Sequence, residues 1–240
     1  MKIRSKLSAL GAVLVLSTAF ASADTVQYIY SSSGTTSYLG YTSLADPPPS
    51  NLASYTPVIQ PAGTNNSTGT SSTFGISPGV IWASPLVAGD GTISSWISYD
   101  QNSGPTGGEP FSDANGYYTY ETNFNNVPGP WGGSITVAAD DTVEVFFDGS
   151  LVTGSVFGTQ GSDGQCADGA PNCRTGQSST YTFSGSGFGV LDFVVFQSGS
   201  HDQGLDFVGT ITATPEPNTL LLLGTGLLGS AGALFRRKRT

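Results

Sequence analysis

The chain has 240 residues, with 8 Lys and Arg against 17 Asp and Glu, one His, and 11% aromatic residues. Three of the cations (Lys2, Arg4, Lys6) open the chain and four (Arg236, Arg237, Lys238, Arg239) close it, so residues 24–214 set Arg174 alone against sixteen acids, a formal −15. So acidic a body repels nucleic acid and anionic lipid, which bind through Lys and Arg, and its recurrent Phe, Tyr and Trp exclude the aromatic-poor composition of disorder.

Residues 1–23 combine a basic start, an apolar stretch over 7–20 and the small residues Ala21, Ser22 and Ala23. This is the pattern of a Sec-type signal peptide, helical in its apolar part, with cleavage expected after Ala23 and with Ala21 at the −3 position. The body that follows, 24–213, is about 190 residues long, enough for one substantial core.

"DTVQYIY" (24–30) reads as the first strand. "LADPPPSNLASY" and "PAGTNNSTGTSST" read as long loops, because three successive prolines cannot donate to a ladder. Tyr118, Tyr120, Thr122 and Phe124 form an alternating face, and period-2 alternation marks a strand. Trp82, Trp96 and Trp131 are the rings on which a sugar could lie. Trp96 alternates with Ser95 and Ile97 as a buried residue would, whereas Trp131, between turn residues in "VPGPWGGS", is the exposed candidate.

"SITVAADDTVEVFFDGSLV" (134–152) holds two alternating runs, Ile135 with Val137, then Val143, Val145 and Phe147. Asp148 and Gly149 between "EVFF" and "SLV" suit a two-residue type I′ hairpin. Asp140 and Asp141 open the second run. With Asp163, Asp168, Asp202 and Asp206 they are the oxygens that Ca²⁺ would take, although no spaced D-x-D-x-D-G loop is present. The plainer reading of the pair is hydrogen bonding to local backbone at a strand entrance. No other cofactor is implied.

Cys166 and Cys173 bracket the turn-forming "CADGAPNC". Two cysteines so placed in an exported chain predict a disulfide across a loop tip, and no further Cys or His is near enough for a metal site. "GSGFG" (185–189) has glycine-turn spacing but no helix after it, so it is not a nucleotide loop. Leu191, Phe193 and Val195 alternate again, and "LDFVGTITA" (205–213) supplies the last strand. The predicted fold is all-β, an antiparallel sandwich.

The only histidine, His201, stands in "SGSHDQG". There is no Gly-x-Ser-x-Gly elbow, His-Glu-x-x-His pair or phosphate loop, and nucleophilic hydrolysis wants a base at its nucleophile; the chain reads as no enzyme. An ice-binding surface would want Thr-x-Thr repeats in register across strands, and no such ladder is legible here.

Residues 214–240 run from Pro215, Glu216 and Pro217 through an apolar stretch to "RRKR". The 17 residues 219–235 meet the lower limit for a hydrophobic helix crossing a bilayer. Gly224, Gly226, Gly229 and Gly232 permit close helix packing, and the basic cluster stays cytoplasmic. This tail resembles the PEP-CTERM sorting signal, with Thr214 where many members carry Val. The resemblance implies recognition by an exosortase, processing near the triplet, and passage through the inner membrane of a Gram-negative bacterium to the cell surface or matrix.

A second resemblance covers "WISYDQ", "GYYTYETNFN", "ITVAADDTVEVFFDGSLV" and the strands after them, residues 96–213. These segments are similar to galactose-binding-like jelly-roll modules, with Asp148 in place of the usual Asn. The resemblance implies a jelly roll and glycan binding, exopolysaccharide being the ligand at hand. Two functions follow as expectations: a carbohydrate-binding surface protein, with Trp131, Asp140 and Asp141 as ligand-binding candidates, or a purely structural matrix or adhesion component.

Overall fold

The described residues form the strands β1 (Val26–Tyr30), β2 (Thr36–Ser43), β3 (Ser71–Ser72), β4 (Phe74–Gly75), β5 (Ile97–Ser98), β6 (Gly116–Asp140), β7 (Thr142–Phe147), β8 (Ser150–Leu151), β9 (Ser179–Gln197) and β10 (Gly204–Ala213). The computed structural model describes residues 25–44, 71–107, 113–159, 166–199, 201–213, 224–227 and 229. The signal peptide with Ala21 and Ala23, the two Pro- and Ser-rich loop segments apart from 44 and 71–73, Asp163, and Pro215, Glu216 and Pro217 lie outside these residues. Residues 224–227 and 229 are helical, and among the described residues no helix is long and apolar enough to cross a membrane.

All pairings are antiparallel, as the alternating patterns predict. The architecture turns on two long strands, β6 and β9, which pair with one another along most of their length. Their register shifts between Phe124 and Val127 and again between Val127 and Pro130, irregularities that bend a sheet. The two halves of each strand therefore serve two layers. The first half of β6 and the second half of β9 lie with β2, β7 and β8, and the other halves lie with β10 and β1. The result is the expected antiparallel β-sandwich.

The core lies between the layers. Tyr118, Tyr120, Phe124, Val143, Val145, Leu191, Phe193 and Val195 from the first meet Ile135, Val137, Leu205, Phe207 and Ile211 from the second. Phe193 stacks on Phe207 with ring centroids 4.3 Å apart. Such a pair contributes about 0.5–1.5 kcal/mol beyond the area it buries.

Strand alternation does not tell the whole story in the first layer. Tyr117, Val194 and Phe196, on its outer side, are buried under Leu44, Phe146 and Phe157. Because both faces are covered, "FVVF" (193–196) reads as a continuous apolar run. The expected hairpin is present: Phe147 pairs with Ser150, and Asp148 and Gly149 have φ of 46° and 79°, as a type I′ turn requires. Asp148 Oδ1 also accepts from Val190 N at 3.0 Å, a bond open to Asp and Asn alike, which accounts for Asp at this position.

Gly185–Gly189 is strand, paired in β9 with β6. Trp131 is likewise in strand, within β6, facing Gly185. Glycine belongs at 185 because a Cβ there would come within 2.7 Å of the Trp131 ring, whereas Gly187, with φ 73°, sits at the register shift with open space around it. The predicted Cys166–Cys173 disulfide is formed.

Candidate functional site

One end of the sandwich gathers the chain's polar side chains. There β6 passes to β7 through Asp140 and Asp141, changing layers, and β9 passes to β10 through residues 198–203, changing layers again. The start of β6 arrives at the same end, since Gly116 pairs with Gln197. The segment after β5 joins them: Gln203 N donates to Ser103 O (2.8 Å), and Asp113 N donates to His201 O (3.0 Å).

Gln203 lies on the core-facing side of β10, two residues before Leu205, and is fully buried. Its Oε1 accepts from Ser98 Oγ at 2.6 Å and from Tyr120 OH at 2.7 Å. Asp113, also fully buried, accepts from Tyr99 OH at 2.5 Å and Ser103 Oγ at 3.1 Å through Oδ1. Asp113 Oδ2 and Gln203 Nε2 have no hydrogen-bond partner, and both atoms are buried from solvent. Burial pushes the Asp113 carboxyl up to about 7; the Tyr99 and Ser103 donors oppose the rise, and the charges of Asp202 and Asp100 add to it.

A run of tyrosine rings flanks the cluster. Tyr41 packs on Tyr118 (4.9 Å), Tyr118 on Tyr99 (5.0 Å), Tyr99 on Tyr38 (5.4 Å) and Tyr38 on Tyr120 (5.6 Å). Tyr41, at the outer end of the run, is exposed. Burial holds the Tyr99 and Tyr118 hydroxyls well above the usual phenol range, so both are donors at neutral pH.

Asp140 and Asp141 adjoin this end, joined by a cis peptide and 2% exposed each. Asp140 Oδ2 accepts from Trp82 Nε1 (2.6 Å) and Asp141 Oδ2 from Ser198 N (2.6 Å), while Asp141 N donates to Phe196 O (3.0 Å). Burial, then the neighbouring Asp141 charge, raises the Asp140 carboxyl well above its usual range, against the opposing Trp82 donor. The pair ties the layer crossing to both layers, close to the backbone-bonding role expected of it. Ca²⁺ takes six to eight oxygens. The one set of three potential ligand residues among the described residues is Asp140 with Cys166 and Cys173, whose sulfurs are joined to each other and offer no thiolate.

The aromatic platform falls elsewhere than expected. Trp131 is 2% exposed, edge-on to Phe124, Phe147 and Phe183, with its Nε1 donating to Gly187 O (3.2 Å). Trp82 and Trp96 are buried against each other at 4.5 Å. None of the three tryptophans offers a face to a sugar. His201 is exposed and supplies a backbone carbonyl to Asp113. Tyr99, Asp113 and Gln203 carried no sequence signal as a group. They stand at three distant positions, and only the double layer crossing unites them.

Residues 213–239 match the PEP-CTERM protein-sorting motif. That signal directs export and exosortase-dependent anchoring at the cell surface. No curated protein matches the chain significantly. Among solved structures, the native form of a family 35 carbohydrate-binding module from Clostridium thermocellum is similar, with TM-score 0.26 and 14% identity over 52% of this chain and 83% of that one. A CBM35 from Paenibacillus barcinonensis gives TM-score 0.25 and 16% identity over 56% and 88%. Likenesses this distant carry no functional weight.

Proposed function

We propose that the chain is a non-catalytic polysaccharide-binding protein of the cell surface or extracellular matrix. In this reading the Sec machinery exports it, with residues 1–23 removed after Ala23. The tail 214–240 holds it in the inner membrane of a Gram-negative cell until an exosortase acts at Pro215, Glu216 and Pro217. The body 24–213 then meets exopolysaccharide.

The binding half of this reading rests on the polar end of the sandwich, where the exposed Tyr41 ring leads the run of tyrosines in from the surface. Aromatic faces suit a sugar ring, and polar groups beside them suit its hydroxyls.

The test is retention of the full chain, in detergent, on exopolysaccharide from the producing strain, with Ca²⁺ or with chelator. Native protein is expected to be retained in both, and Tyr41→Ala to weaken retention about tenfold. Retention lost on chelation would restore a cation role to Asp140 and Asp141. No retention of the native chain would leave it a structural matrix or adhesion component.

A further inference from the structure

The outward side of the second layer is a regular hydroxyl surface that the sequence concealed. Inward positions there are Ile135 and Val137 on β6, Tyr181 on β9, Phe207 and Ile211 on β10 and Ile29 on β1. Alternation then turns Thr180, Thr182, Ser184 and Ser186 of β9, Ser134 and Thr136 of β6, and Thr210 and Thr212 of β10 outward. Pairing brings them into rows. Thr182 faces Ser134, Ser134 faces Thr210, and Thr210 faces Tyr28 of β1, a row four strands wide. The adjacent rows are Thr180, Thr136, Val208 and Tyr30, and Ser184, Gly132, Thr212 and Val26.

The β9 hydroxyls are exposed, those of β6 and β10 half-exposed. Thr136 and Thr180 hydrogen-bond across the strands at 2.8 Å. A Cβ added at Gly132, in the middle of the array, would meet nothing within 4 Å. No charged residue stands in these three rows. The outward acids farther along the same strands, Asp140 and Asp206, are buried, bound by Trp82 and by Ser31 and Leu86 N respectively.

We infer that this face is a docking surface for an uncharged, extended polysaccharide chain. The inference rests on the polysaccharide-binding reading and adds a second surface and a substrate class to it. A body of formal −15 repels acidic polymers and a second copy of itself, while a face without ions holds a ligand only through hydrogen bonds and apolar contact. Ser and Thr hydroxyls both donate and accept, as sugar hydroxyls do. The sheet sets them about 4.8 Å apart across strands and about 6.7 Å apart along them, a repeating array for a repeating polymer. Tyr28 and Tyr30, both half-buried, stand along one margin, and Val208 in their row is buried.

The test uses the full chain in detergent on two probes, cellulose as the neutral polymer and alginate as the acidic one. Thr182→Glu with Ser184→Glu places charge on exposed positions of the face. Thr153→Glu, exposed and off the face, is the control, and melting temperatures establish that all three proteins are folded. The native and control chains should be retained on cellulose and not on alginate, with little dependence on salt, and the double variant should lose about tenfold or more.

Cellulose retention undiminished in a folded double variant would overturn the face and leave the polysaccharide reading standing. Retention on alginate alone would overturn the neutral class. Failure of the native chain on cellulose and on its own exopolysaccharide would sink both readings. Ice shaping without cellulose retention, or a dimer that the double variant dissociates, would give the face to ice or to a second copy and overturn the inference.

Discussion

Trp82 and Asp113 are the side chains on which single changes speak most plainly. The Trp82 indole N–H donates to Asp140 Oδ2, and Asp140 Oδ1 has no hydrogen-bond partner. Trp82→Phe keeps a ring against Trp96 and removes that donor. Leaving a buried acceptor unsatisfied costs about 1–3 kcal/mol, and the denaturation midpoint should fall accordingly. Asp113 sets a pH dependence. Its carboxyl is at about 7 in the folded chain and at about 4 when unfolded, so between these values the folded state holds the extra proton. The stability this group contributes is complete below about pH 4 and lost as pH rises through about 7. Melting temperature should therefore fall from pH 5 toward pH 8, and Asp113→Asn should flatten that slope. A slope unchanged in the variant would place the titration elsewhere.

The long strands β6 and β9 decide the architecture, and they are where sequence and structure part most instructively. Period-2 alternation in "SITV", "TVEVFF" and "LDFVVF" was enough to find strands, the sandwich and the Asp148–Gly149 hairpin, because each signal is local. "VPGPWGGS" misled about Trp131, because Gly133 makes room there for the Phe183 ring within a strand, as Gly185 does for Trp131. Gly189 is the sharpest case: a Cβ at this position would collide with the Phe124 ring. Gly189→Ala should cost about 1–3 kcal/mol by overpacking, measured by denaturant unfolding; a neutral result would mean that Phe124 turns aside freely. The Thr180, Thr182, Ser184 and Ser186 alternation was visible in principle in "STYTFSGSGF". Its neighbours on β6 and β10 were not, because register across strands far apart in sequence is settled by the fold. The Asp113 and Gln203 cluster was illegible for the same reason.

At the scale of the whole molecule, charge and destination agree. A body with one cation does not cling to anionic lipid or nucleic acid, and the sorting motif over 213–239 sends it to the cell surface. There it presents two uncommitted features: a polar layer-crossing end, and a neutral hydroxyl face on the opposite side of the second layer from the core. The central claim is that the displayed chain is held by polysaccharide. The measurement that meets it most directly is fractionation of producing cells before and after enzymatic digestion of their matrix polysaccharide. The account predicts that the chain sediments with the intact matrix and becomes soluble when the polysaccharide is digested. A chain that stays in the membrane fraction through complete digestion would contradict it.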